Sequence, residues 1–230
     1  MAHSTDSGGR FWKGWRTAPK VVAQRPVVDD GVEAFQEGRH GDAERLLVNA
    51  LKRAERSAPD STQVSEALSR LADLYRVQAR YEESEPLYRR AIAIEEARRG
   101  TEHPRMAQVL NNLALVYRAQ GFYAQAEPLC RRALAIAERA HGGEHPLTAA
   151  AVGNLLTVYL AQHRFSEAGP LFRRSVAIKE RLLGPNHPAL AASLSNYAAF
   201  LRQTRNDTEA AAWEARVEKI RSAKGRSHSR

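Results

Sequence analysis

Along residues 104–137 the apolar positions fall on one face of each of two successive helices. In MAQVLNNLALVYRAQ, Val109, Leu110, Leu113, Val116 and Tyr117 recur at the three- and four-residue steps of an amphipathic helix. Gly121 interrupts the pattern. In FYAQAEPLCRRALAIAERA, Ala126, Leu129, Cys130, Ala133, Leu134 and Ile136 mark a second helix. The first is predicted to start at His103-Pro104, because the N–H that proline lacks would have no intrahelical partner in a first turn. Pro128 is expected in or near the first turn of the second helix. Gly142, which follows that helix, is expected to be a left-handed C-cap.

The helix pair repeats. Gly100-Thr-Glu-His103-Pro104, Gly142-Gly-Glu-His145-Pro146 and Gly184-Pro-Asn-His187-Pro188 are one motif recurring every 42 residues. The same step links Tyr75, Tyr117, Tyr159 and Leu201, and links Arg90, Arg132 and Arg174. A degenerate copy, His40-Gly-Asp-Ala-Glu44-Arg-Leu46, aligns with Tyr81-Glu-Glu-Ser-Glu85-Pro-Leu87 one residue out of step. Small residues at Ala114, Ala126 and Ala133 let helix axes approach, and Leu110, Leu113 and Tyr117 fill the spaces between them. No pair buries its apolar faces alone, so neighbours must stack. This predicts an opening unit at 28–59, clear units at 60–101, 102–143 and 144–187, and a closing pair at 188–222. Asn206-Asp207-Thr208, Trp213 and Glu214 depart from the pattern, as a capping repeat should.

Charge changes the picture at the ends. The net charge of +9 suggests nucleic acid, but its distribution argues against that. Arg10, Lys13, Arg16, Lys20 and Arg25 face only Asp6 in residues 1–26, and Lys219, Arg221, Lys224, Arg226 and Arg230 face no acid in 219–230; the residues between are formally neutral. Basic, disordered tails are expected at 1–27 and 223–230 around a repeat domain at 28–222. Binding of nucleic acid or an anionic surface through those tails is the rival function. Arg10-Phe11-Trp12-Lys13-Gly14-Trp15-Arg16 is either a docking motif or part of the tail. No apolar run reaches membrane-spanning length, and MAHSTDSGGRFWKGWRTAPK has no signal-peptide core. Cys130 is the one cysteine, so no disulfide forms within the chain; a reducing, cytoplasmic setting is expected.

The ordered small and large positions Leu110, Leu113, Ala114, Tyr117, Gly121, Tyr123, Ala126, Cys130 and Ala133 resemble the tetratricopeptide repeat signature. LNNLALVYRAQGFYAQAEPLCRRALAIAERAHGGEHP and YEESEPLYRRAIAIEEARRGTEHP resemble its kinesin light chain variety. The period alone also allows HEAT or armadillo units; the small-residue positions argue against them. The resemblance implies an all-α, right-handed superhelical array of antiparallel helix pairs, an α-solenoid. It further implies a non-catalytic scaffold or adaptor that binds a protein or peptide in a concave groove lined by the first helix of each pair. Residues 1–30 show no heptads, so the motor-associated role is not carried over.

Within that groove Asn112, Asn154 and Asn196 recur on the period. An amide offers both donors and acceptors and can grip an extended main chain; the competing explanation is that these residues tie repeats together. Arg70, Asp73, Asn111, Leu115, Arg118, Thr157, Leu160 and Arg202 are expected around them. The three arginines suit an acidic or carboxylate-bearing peptide, unless they merely solvate the surface. A regulatory arm for a separately encoded enzyme is a further reading. No cofactor is indicated. His103, His145 and His187 lie one per repeat, too far apart to share a metal ion, and are expected to start helices. Cys130, in the place of Tyr88 and Phe172, is expected to be a buried apolar group.

Overall fold

The computed structural model describes residues 27–227, and ten α-helices account for almost all of them. Five antiparallel pairs follow in order: α1 (Val27–Gln36) with α2 (His40–Ser57), α3 (Thr62–Val77) with α4 (Tyr81–Arg99), α5 (Pro104–Ala119) with α6 (Tyr123–His141), α7 (Pro146–Ala161) with α8 (Phe165–Leu183), and α9 (Leu190–Gln203) with α10 (Asp207–Ser227). The last helix runs five residues past the expected end of the repeat domain at 222. The N-terminal tail and its aromatic segment lie outside the described residues, as does the C-terminal tail from 228 onward.

The starts of α5 and α7 have a physical cause. The ring Nδ1 of His103 accepts the N–H of Arg105, and that of His145 accepts the N–H of Leu147, each at 3.2 Å. Each histidine thus satisfies one of the orphan donors of a first turn. His187 accepts the N–H of Ala189 at 3.1 Å in the same way. There, however, the helix begins at Leu190 rather than at Pro188, after a turn in which Leu190 N–H bonds His187 O and Ala191 N–H bonds Pro188 O.

Two expectations need correction. Pro128 is the sixth residue of α6, not a first-turn residue, and Pro86 and Pro170 hold the same place in α4 and α8. Each removes one i→i−4 bond in a second turn, on a face open to water. Gly142 has φ 81° and ψ 176°, which is an extended backbone of positive φ rather than the left-handed helical cap. That region is essentially restricted to glycine. Gly100 and Gly184 share it.

The core runs through the array as a continuous stack. Leu110, Leu113, Ala114, Val116, Ala126, Cys130 and Ala133 are all buried. Burial pushes the Cys130 thiol up to about 12, which makes it an inert packing group. Successive first helices touch, α1 with α3, α3 with α5 and α5 with α7, whereas successive second helices stay apart. Crowding on one side and spreading on the other curves the array with the first helices inside.

Candidate peptide groove and the junctions that shape it

The inner face presents one series of side chains per first helix. Asp73 on α3, Leu115 on α5 and Thr157 on α7 occupy equivalent places, as do Asn112, Asn154 and Asn196. Asn112 and Asn154 are half-buried and Asn196 is exposed. The asparagines are not chemically alike. Asn112 donates from Nδ2 to Asp73 Oδ1 at 3.2 Å and so ties α5 to α3. Asn154 and Asn196 form no hydrogen bond among the described residues, and their amides are free for a ligand. Thr157 donates to its own helix at Gly153 O, 2.7 Å. Leu160, like Leu115, is half-buried.

Two expected groove residues are withdrawn from the open face. Asn111 is 8% exposed, which takes it off the open surface. Arg202 donates to both carboxylate oxygens of Glu214, at 3.0 and 2.7 Å, and lies near Asp207. Its charge is spent inside the closing pair. Arg70 stands 3.9 Å from Glu66, and Arg118 has no ion pair among the described residues.

Asp73 is a perturbed carboxylate on this face. Tyr88 Oη donates to it at 2.5 Å and Arg76 lies 3.7 Å away. Burial outweighs both and pushes its carboxyl above the usual range. A raised carboxyl penalises the ionised form in the folded state. That penalty is absent below the unfolded pKa and grows as pH rises through the folded one. Asp73→Asn keeps a carbonyl for Tyr88 and Asn112 and removes the charge. Its melting temperature is expected above that of the parent at neutral pH, with the gap closing as pH falls; a lower value at neutral pH contradicts the assignment.

The inner face is widest at its C-terminal end. No Cα of α9 comes within 8 Å of α7, and the contact between α8 and α9 is the sparsest of any consecutive pair. Between these three helices lies a cleft of about 610 Å³, lined by Leu156, Thr157, Leu160, Phe172, Val176 and Phe200, with Asn196 and Lys179 as polar groups.

Sequence reasoning missed how the junctions are fastened. At three of them a tyrosine of the incoming first helix donates to a glutamate of the preceding second helix: Tyr75 to Glu44 (3.0 Å), Tyr117 to Glu85 (2.8 Å) and Tyr159 to Glu127 (3.2 Å). An arginine holds each of these carboxylates: Arg80, Arg89 and Arg164 respectively. Outside, Arg90, Arg132, Arg174 and Arg216 pair with Glu55, Glu96, Glu138 and Glu180, bridging every junction between second helices. The signal was present, since Glu85 and Glu127, like Glu96, Glu138 and Glu180, recur on the 42-residue step.

The model of the tetratricopeptide repeat matches residues 32–97, 105–181 and 157–223, most of the chain. The chain belongs to the tetratricopeptide repeat family. Solved structures of similar fold include BtubC (BKLC) from P. vanneervenii, at 24% identity and TM-score 0.78 over 86% of this chain and 80% of that one. A kinesin light chain of Podosopora anserina with nearly identical TPR-like repeats matches at 23% identity and TM-score 0.74, over 87% of this chain and 98% of that one. A Rap protein complexed with competence and sporulation factor matches at 17% identity and TM-score 0.65, over 85% of this chain and 53% of that one. No curated protein matches. The array thus shares its fold with these kinesin light chain structures, and the tetratricopeptide repeat is a scaffold fold commonly used for protein interaction. Among its described residues no helix is long and apolar enough to cross a membrane, and no three His, Cys, Asp or Glu side chains form a metal cluster.

Proposed function

We propose that this protein is an adaptor that binds an extended peptide segment of a partner protein along the inner face. The observation that carries the reading is the pair of unengaged amides, Asn154 and Asn196, on successive inner helices beside the open cleft. An extended peptide presents main-chain donors and acceptors along its length, and a row of amides meets them without reading side chains. The contact set is Arg70, Asp73, Asn112, Leu115, Arg118, Asn154, Thr157, Leu160 and Asn196. Arg118, which has no ion pair among the described residues, favours a peptide with an acidic residue near the middle of the groove. The Rap complex supports the idea that a fold of this shape can hold a ligand. A single buried cysteine suits a cytoplasmic setting.

A displayed library of random peptides, selected on the intact protein, supplies the probe. For a selected peptide, Asn154→Ala with Asn196→Ala is expected to weaken binding about thirtyfold, since each lost hydrogen bond is worth about 1 kcal/mol and the two sites are independent. The thermal midpoint should hold, because neither amide bonds to any of the described residues. Asn112→Ala should instead lower the midpoint, because it frees Asp73 from a tie between repeats. Selected peptides that bind the double variant normally would remove the inner face as the site.

A further inference from the structure

We infer that the closing pair α9–α10 is a hinged leaf, which widens and narrows the cleft against α7 and α8 and so sets what that end of the groove admits. The inference rests on the proposed function only in treating the cleft as part of a binding surface. The hinge itself follows from how the last junction differs from the other three.

At the last junction the tyrosine–glutamate clasp is gone. The 42-residue step puts Leu201 where Tyr117 and Tyr159 stand, and Gly169 where Glu85 and Glu127 stand. Arg173 remains, as the counterpart of Arg89 and Arg131, with no glutamate on its own helix four residues earlier. A second change accompanies it. Ala137 and Ala151, both 1% exposed, belong to α6 and α7 at the preceding junction. Their counterparts are Lys179 on α8 and Ser193 on α9, joined by one hydrogen bond of 2.7 Å. The small-on-small contact of the preceding junction is thus replaced here by a polar pair, and both of its members line the cleft where α9 stands off from α7.

The ties that remain permit rotation. Phe172 meets Tyr197 and Phe200 at ring distances of 5.3 and 5.2 Å, and Phe165 meets Phe200 at 6.1 Å. Apolar ring contacts are non-directional and survive a change of angle, whereas a hydrogen-bonded clasp does not. On the outer side Arg216 keeps its pair with Glu180 and donates to Pro185 O at 2.8 Å. That leaves one fixed edge, an apolar pivot and an open inner edge. In a repeat array each unit is held by its neighbours alone, so weakening one interface frees everything beyond it.

Gln108, Ala150 and Ala192 are exposed residues on the same step in α5, α7 and α9. Spin labels placed on cysteines at 108 and 150, or at 150 and 192, in a Cys130→Ala background, report the two junctions by double electron–electron resonance. The 150–192 distance distribution is expected to be about twice as wide as the 108–150 distribution. Gly169→Glu with Leu201→Tyr restores the clasp and is expected to narrow it to the width of the preceding junction. An added Cβ at Gly169 meets only the Phe200 ring, at an ordinary 3.7 Å. Lys179→Ala with Ser193→Ala, which recreates the Ala137–Ala151 pairing, is a second route to the same narrowing if the first variant does not fold. A parent 150–192 distribution as narrow as 108–150 overturns the hinge, and needs no variant to fold. Two folded variants that both leave a wide distribution unchanged overturn its assigned cause. A wide distribution in a protein that selects no peptide keeps the hinge and removes the groove reading.

Discussion

Deleting residues 146–187, the α7–α8 pair, is expected to leave a folded but less stable array, whereas deleting 165–187 is expected to unfold the chain beyond α6. The first deletion removes one 42-residue period and joins His145 to Pro188, so a histidine still precedes the proline at the next helix start. The second removes α8 alone. It strands α7, whose Leu155, Leu156, Val158 and Tyr159 are buried, without its antiparallel partner, and turns the closing pair out of register. Stability in such an array is approximately a sum of unit and interface contributions, so losing a whole unit shortens the sum and losing half a unit breaks the chain of interfaces. Circular dichroism melts and urea titrations of both proteins measure this. Coincident midpoints would contradict the stacked-pair architecture.

Arg105→Ala is expected to destabilise the array by about 1 kcal/mol, the low end of the range for leaving a buried polar group short of a partner, since the Arg105 side chain is itself 35% exposed. Glu95 on α4 has no exposed surface. Ser65 Oγ donates to it at 2.6 Å, and the Arg99 and Arg105 guanidinium groups lie 3.3 and 3.5 Å away. Arg99 remains in the variant, which is why the low end applies. The decisive comparison is with Glu95→Ala. The counterpart of Glu95 in the next repeat is Ala137, also buried, so an alanine is a native solution at this place. The double change Glu95→Ala with Arg105→Ala should therefore cost less than the sum of the two single changes, because either one alone already breaks the contact between the two side chains. Additive losses in chemical denaturation would show that Glu95 is not held by Arg105.

Much of the fold was legible because it is periodic. Leu110, Leu113 and Tyr117 recur at helical steps, and each His-Pro and each glycine recurs at 42 residues. A repeat must satisfy the same packing at every copy, so one local pattern read several times fixes the architecture. The departures at Asn206-Asp207-Thr208 and Trp213 were legible for the same reason. Trp213 now packs against Tyr197 at a ring distance of 5.5 Å.

The candidate site was legible only in outline. The sequence alone determined that Asn112, Asn154 and Asn196 share one register and that Gly169 departs from the Glu85 and Glu127 of its own. It could not determine that Asn112 is held by Asp73 while Asn154 and Asn196 stand free, because equivalent positions in a repeat differ by what the neighbouring helix offers them. Asp73 gives Asn112 an acceptor; the residues one repeat on, Leu115 and Thr157, offer Asn154 and Asn196 none comparable. Nor could it show that α9 stands off from α7, which depends on how the last pair settles against α8 once the tyrosine–glutamate clasp is absent. Those facts belong to the tertiary structure, where distance between helices decides which polar groups are paired and which are left for a ligand.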